Sequence, residues 1–206
     1  MMRKAGKVLM LFGCMLLLGA LALLAYNQWE AGEAEAALQD AQEKLESAMA
    51  DFVPGNTVPV STALDVEPEA GWMSVIEIDG YEYIGYLSIP RYGLELPVMS
   101  KWSYAGLKIA PGRYEGSVWT DDLIICAHNY ERHFGNLINL TEGDEVTFTD
   151  VDGNVFCYEV VEVERLQPTA IEEMESGDWA LTLFTCTIGG QSRVTVRCAR
   201  TDGQTD

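Results

Sequence analysis

The sequence predicts a mainly β domain, a barrel or a sandwich, behind an N-terminal transmembrane helix and a stalk helix. Three observations carry this expectation. An apolar run free of charge covers residues 8–25, directly after Arg3, Lys4 and Lys7. A stretch of good helix formers comes next. Beyond Trp72 the chain breaks into short apolar or alternating runs separated by Gly, Pro, Asn and Asp, the pattern of many closely spaced strands.

Taken in order, residues 1–7 read as a cytoplasmic basic segment and 8–26 as a signal anchor. The apolar run is close to the shortest helix that spans a bilayer, about 18 residues. Its positive flank predicts a cytoplasmic N-terminus and a single pass, with the rest of the chain outside. Tyr26 and Trp29 suit an interfacial anchor. A cleaved signal peptide is the rival reading, because residues 31–37 contain Ala-x-Ala triplets. The run is longer than an ordinary signal core, which favours an uncleaved anchor. Residues 27–52 predict a solvated stalk helix. Ala34, Leu38, Ala41, Leu45 and Met49 recur at helical spacing as a thin stripe, read here as a monomeric spacer. Residues 53–71, with Pro54, Pro59 and Pro68, read as a linker.

The folded domain is placed at 72–202, with a tail at 203–206. Strands are expected at 75–78, 83–89, 94–99, 123–128, 145–149, 155–163, 181–186 and 193–199. Asp152-Gly153 predicts a hairpin turn between two of them. A short helix is expected with Thr169 as its cap, Glu172 three residues on, and Gly177 as its stop.

Formal net charge is −19, from 13 Lys+Arg against 32 Asp+Glu. That balance argues against nucleic acid, which needs a basic footprint. The five cysteines form no CxxC pair and there are only two histidines, so neither a metal site nor a cofactor is expected.

The chemistry concentrates at three residues. Cys186 ends an apolar strand, a Gly189-Gly190 loop follows, and Arg193 opens the next strand. If the two strands form a hairpin, Cys186 and Arg193 face each other across its mouth. Arg197 then points the same way about 13 Å further down, so its replacement by lysine is expected to be nearly silent. His128 sits at the exit of the strand at 123–128. A cysteine attacks as the thiolate, an imidazole can exchange protons with it and with a leaving amine, and a guanidinium can hold an oxyanion. Thr185, Thr187 and Asn129 flank these groups and are expected to touch substrate. His133 reads as a structural side chain. Cys126, Cys157 and Cys198 read as core.

The segment Leu181-Thr182-Leu183-Phe184-Thr185-Cys186-Thr187, followed by Arg193-Val194-Thr195-Val196, resembles the sortase signature TLxTC…RxxV. Ala127-His128-Asn129-Tyr130 with His133-Phe134 and Leu137 is similar to that family's histidine motif. Gly85-Tyr86-Leu87-Ser88-Ile89-Pro90 is similar to its first-strand motif, and Gly143-Asp144-Glu145-Val146 fits as well. The resemblance implies a closed β-barrel of about eight strands. It also implies a membrane-anchored cysteine transpeptidase of a Gram-positive surface. Such an enzyme cleaves an LPXTG-like sorting signal through a thioacyl intermediate and passes the acyl group to an amine of a cell-wall precursor or a pilin lysine. By position, Cys186 is then the nucleophile, His128 the acid/base group and Arg193 the substrate- or oxyanion-holding arginine. Ala127 stands where the family usually has glycine. The short segment between Leu166 and Leu181 leaves the class open between B- and D-like. On the residues alone, an exported cysteine peptidase or a non-catalytic anchored β-domain also fits.

Overall fold

The computed structural model describes residues 2–51 and 71–201. The expected linker therefore falls almost wholly outside the described residues, and the tail at 203–206 lies outside them too. The chain divides into two compact units, residues up to 36 and residues from 37 on.

The first unit is helical throughout its described residues and belongs to α1 (Met2–Asp51). Its apolar side chains, Leu11, Phe12, Leu16, Leu21 and Leu24 among them, are exposed. The helix is long and apolar enough to cross a membrane, with a mean hydropathy of 2.0 over its most apolar window.

The second unit is a β-barrel with the end of α1 packed onto it. Nine strands are described: β1 (Ile76–Ile78), β2 (Tyr81–Ile89), β3 (Leu94–Met99), β4 (Gly112–Glu115), β5 (Leu123–Ala127), β6 (Glu145–Asp150), β7 (Val155–Leu166), β8 (Leu181–Cys186) and β9 (Arg193–Arg200). They form one sheet in the order β1-β2-β3-β4-β5-β8-β9-β7-β6, and β2 also pairs with β6. That last pairing closes a ring of eight strands, with β1 left as an extra strand on the start of β2. Closure removes the exposed edges that an open sheet of this size would carry.

Most strands follow from alternation. In β6 and in the first half of β7 every second residue is buried, which packs Val146, Phe148, Phe156 and Tyr158 inside. Asp152-Gly153 forms the expected turn. Gly153 has φ 85°, and the Asp150 carboxylate accepts from the Asn154 backbone and side-chain amides at 2.8 and 2.9 Å. Gly85 sits at an irregularity in β2, where a Cβ would come within 2.0 Å of the Thr149 carbonyl oxygen. Only glycine lets β2 and β6 approach that closely.

Three expectations are corrected. The strand β4 was not foreseen, because Gly-Arg-Tyr-Glu has no apolar alternation; it is held by pairing with β5. The short helix is present as α2 (Ile171–Glu175), but Ala170 is its first flanking residue and no side chain caps it. The third concerns the stalk. From residue 37 on, α1 is not a solvated spacer: Leu38, Ala41 and Leu45 are buried in the same core as Ile84 and Leu87. Tyr86 donates to the Gln42 carbonyl at 2.8 Å. Lys44 reaches both Asp40 and Asp79. The thin stripe is thin because it covers one strip of a curved sheet.

Candidate active site

The site is assembled by two strand registers. In the antiparallel β8–β9 hairpin, Cys186 pairs directly with Arg193, as the hairpin argument requires. In the parallel β5–β8 pair, Ala127 is opposite Thr185, so the next residue of each chain is His128 on one side and Cys186 on the other. The end of β5 and the mouth of the β8–β9 hairpin, far apart in sequence, thus meet at one place, with His128, Cys186 and Arg193 all half-buried.

Alternation decides which face they occupy. Leu181, Leu183 and Thr185 of β8 point into the barrel and are buried, so Thr182, Phe184 and Cys186 lie on its outer surface. On β9 the inward set is Val194, Val196 and Cys198, leaving Arg193, Thr195 and Arg197 outside. The site is therefore on the outer wall of the barrel, at one end of β8 and β9.

Local hydrogen bonds hold this end. The Thr187 amide donates to the Ser192 carbonyl at 2.9 Å, and the Gly190 amide to the Thr187 carbonyl at 2.8 Å. Gly189 and Gly190, at φ 84° and 71°, make the reversal. The Thr187 hydroxyl bonds to the Ser192 carbonyl, and the Ser192 amide and hydroxyl approach it. These bonds close the loop. Thr185 differs from the expectation of substrate contact. It is buried, and its hydroxyl donates to the Ala127 carbonyl at 2.8 Å. That bond ties the strand carrying the cysteine to the residue before the histidine. Asn129 is half-buried in the loop after His128.

That loop carries a feature the sequence did not disclose. The rings of His128 and Tyr130 lie 4.9 Å apart, and those of Tyr130 and His133 lie 5.4 Å apart. The Phe134 amide donates to the His128 carbonyl at 3.1 Å and the His133 amide to the Tyr130 carbonyl at 3.0 Å. His133 is 1% exposed, and neither of its ring nitrogens has a hydrogen-bond partner. Burial, helped by the charge of His128, pushes its pKa down to about 4.

The thiols separate by environment. Burial pushes Cys126 and Cys198 up to about 12, so neither ionises near neutrality. Cys157 corrects the core expectation: it is half-buried while Phe156 and Tyr158 are buried, which puts it on the outer face of β7. Among the described residues no cluster of His, Cys, Asp and Glu is suited to hold a metal ion.

Sequence reasoning also missed the surroundings of the cysteine. Phe184 meets Tyr114 edge-on at 5.4 Å, and Tyr114 stacks on Trp102 at 6.1 Å. Phe184 could have been found by counting two residues back from Cys186. Tyr114 could not, because β4 itself was not visible.

A sortase-domain family model matches residues 87–201. Solved structures agree. Sortase A from Corynebacterium diphtheriae is similar with a TM-score of 0.54 and 24% identity, over 61% of this chain and 64% of that one. Sortase C1 from Streptococcus suis is similar with a TM-score of 0.53 and 28% identity, over 59% of this chain and 74% of that one. Sortase C from Clostridium perfringens with the C-terminal cell wall sorting motif matches with a TM-score of 0.52 and 27% identity, over 58% and 71%. The chain thus spans less than two thirds of the diphtherial protein's length. A search of curated proteins found no match.

Proposed function

The chain belongs to the sortase family, and from that premise we propose a membrane-anchored cysteine transpeptidase acting on proteins with a C-terminal LPXTG-like sorting signal. The observation that carries the reading is the pair of registers, Cys186 opposite Arg193 and Ala127 opposite Thr185. They bring Cys186, His128 and Arg193 to one end of the barrel wall, which supports their reading as nucleophile, acid/base group and oxyanion-holding guanidinium.

In this mechanism the Cys186 thiolate attacks the carbonyl of the scissile peptide bond. The S–C bond forms, and the negative charge that develops on the oxygen is met by the Arg193 guanidinium. When the intermediate collapses, the C–N bond breaks and His128 gives its proton to the leaving amine. An acyl chain is left on Cys186 as a thioester. An incoming amine, from a cell-wall precursor or a pilin lysine, loses a proton to His128 and attacks that thioester. The new amide forms and the thiolate leaves. A peptidase would differ only in letting water take the acyl group.

The exposed leucines of α1 support an anchored protein, and Arg3, Lys4 and Lys7 before them support a cytoplasmic N-terminus with the barrel outside. Thr187 and Asn129 border the trio and are proposed to touch the peptide.

The test is cleavage of a fluorogenic LPXTG-type peptide with and without an added amine. Wild type is expected to give an amide product when the amine is present. Cys186→Ala should form no thioacyl adduct. His128→Ala should lose about 10²–10⁴-fold. Arg193→Lys keeps the charge but loses the planar fork, so most activity should go while circular dichroism is unchanged. Hydrolysis without amide product would favour the peptidase. No adduct with wild type would favour a non-catalytic domain.

A further inference from the structure

Arg197 occupies a position the proposed mechanism does not use, yet it is among the most heavily bonded side chains of the barrel. It is 3% exposed. Its Nε donates to the Glu164 carboxylate at 2.9 Å. One terminal nitrogen donates to the Met174 carbonyl at 2.8 Å and to the Thr182 hydroxyl at 3.1 Å. The other donates to the Glu173 carbonyl at 2.6 Å. Two of these four acceptors are backbone carbonyls at the end of α2, where a helix has no amide donors of its own to offer them. The other two come from β7 and β8. One guanidinium therefore fastens a five-residue helix to the outer wall.

What α2 covers gives this a functional meaning. The Met174 sulfur sits over the Thr195 hydroxyl at 3.9 Å, and burial together with the nearby Glu175 carboxylate holds the Tyr114 phenol above its usual pKa. Thr195 and Phe184, which meets Tyr114, each lie two residues from Arg193 and Cys186 on the same outward face. At strand rise that is about 7 Å, and Arg197 is about 13 Å away. An extended peptide with its reacting carbonyl at Cys186, running along this face, reaches α2 within roughly two to four residues.

We propose that Arg197 is a positioning residue: it sets the height of α2 above the β8–β9 face, and so fixes the wall against which the peptide binds. The inference rests on the transpeptidase reading for its substrate, but the clamp itself does not.

Arg197→Lys keeps the charge and most of the stem, but one ammonium cannot reach acceptors on three elements. In the whole chain, amide hydrogen exchange across 171–178 should speed up while β8 and β9 stay protected. Peptide KM should rise at least about tenfold, the equivalent of ~1.4 kcal/mol, with kcat little changed. Alkylation of Cys186 by iodoacetamide, which needs no wall, should proceed at the wild-type rate. If Arg197→Lys does not fold, Glu164→Gln removes only the ion pair and should move exchange and KM in the same direction by less. Unchanged exchange at 171–178 in a folded variant overturns the clamp. Faster exchange with unchanged KM overturns the positioning role. A wild-type protein that cleaves no sorting peptide overturns the transpeptidase reading and the positioning role with it, and in that case exchange alone decides whether the clamp exists.

Discussion

Replacing Leu45 by alanine separates two views of residues 37–51, a spacer or a part of the barrel. Leu45 is 0% exposed and lies in the core with Ile84 and Leu87. Truncating a fully buried leucine loses about 1.5–3 kcal/mol of transfer free energy. The residual cavity adds to this, for totals of about 2–5 kcal/mol. Here the helix lies on the sheet from one side and can settle partway into the gap, so about 3 kcal/mol is expected. For a unit of this size that lowers Tm by roughly 6–12 °C. The assay is thermal unfolding of the detergent-solubilised chain, followed by tryptophan fluorescence. Glu43→Ala, one helix face away and exposed, is the control and should melt within about 2 °C of wild type. If Leu45→Ala melts with the control, residues 37–51 do not belong to the folding unit and the burial argument fails.

The other predictions concern titration and thiol access. His133 is neutral when folded, with a pKa of about 4, but the unfolded chain protonates it near 6.5. Its contribution, on the order of 3 kcal/mol, is fully present above about pH 6.5 and is lost as pH falls toward 4. Urea midpoints measured across that window should rise with pH, and His133→Phe should flatten the rise; an equal slope in the variant would remove His133 as its cause. Iodoacetamide followed by peptide mapping should modify Cys186 and Cys157 in the folded chain and leave Cys126 and Cys198 untouched. Labelling of Cys126 or Cys198 as fast as Cys186 would contradict their burial and raised pKa.

Much of the fold was legible because alternation and turn chemistry are local. Asp152-Gly153 and the inward set Val194, Val196 and Cys198 needed nothing but their neighbours. The trio was legible because each member stands at a strand end, where pattern and polarity change together. What stayed hidden depends on partners distant in sequence. The strand at 112–115 exists because β5 offers it a ladder. The stripe at Leu38, Ala41 and Leu45 reads alike whether it faces a barrel or water, since periodicity gives a face but not its neighbour. Cys157 is hidden for a different reason. Its residue type is that of a core side chain, but strict alternation with Phe156 and Tyr158 puts it on the outer face.

Arg197 shows where pattern reading stops and why. Alternation put it on the outer face together with Arg193, and an outer face ordinarily means solvent. Thr182, Thr195 and Arg197 are nevertheless 0–3% exposed, because α2 and its flanks cover that stretch of wall. A charged side chain survives such burial only with its donors matched, and the matching carbonyls come from α2 itself. Cover and charge therefore support each other: without Arg197 the Met174 carbonyl loses this donor and the Glu173 carbonyl keeps only the Ser176 hydroxyl, and without the helix the arginine has no reason to be buried. Cys186 and Arg193 lie just beyond the edge of this cover and are half-buried. A lysine at position 197 should on this argument act on the wall beside the site while leaving the thiol's own reactivity intact.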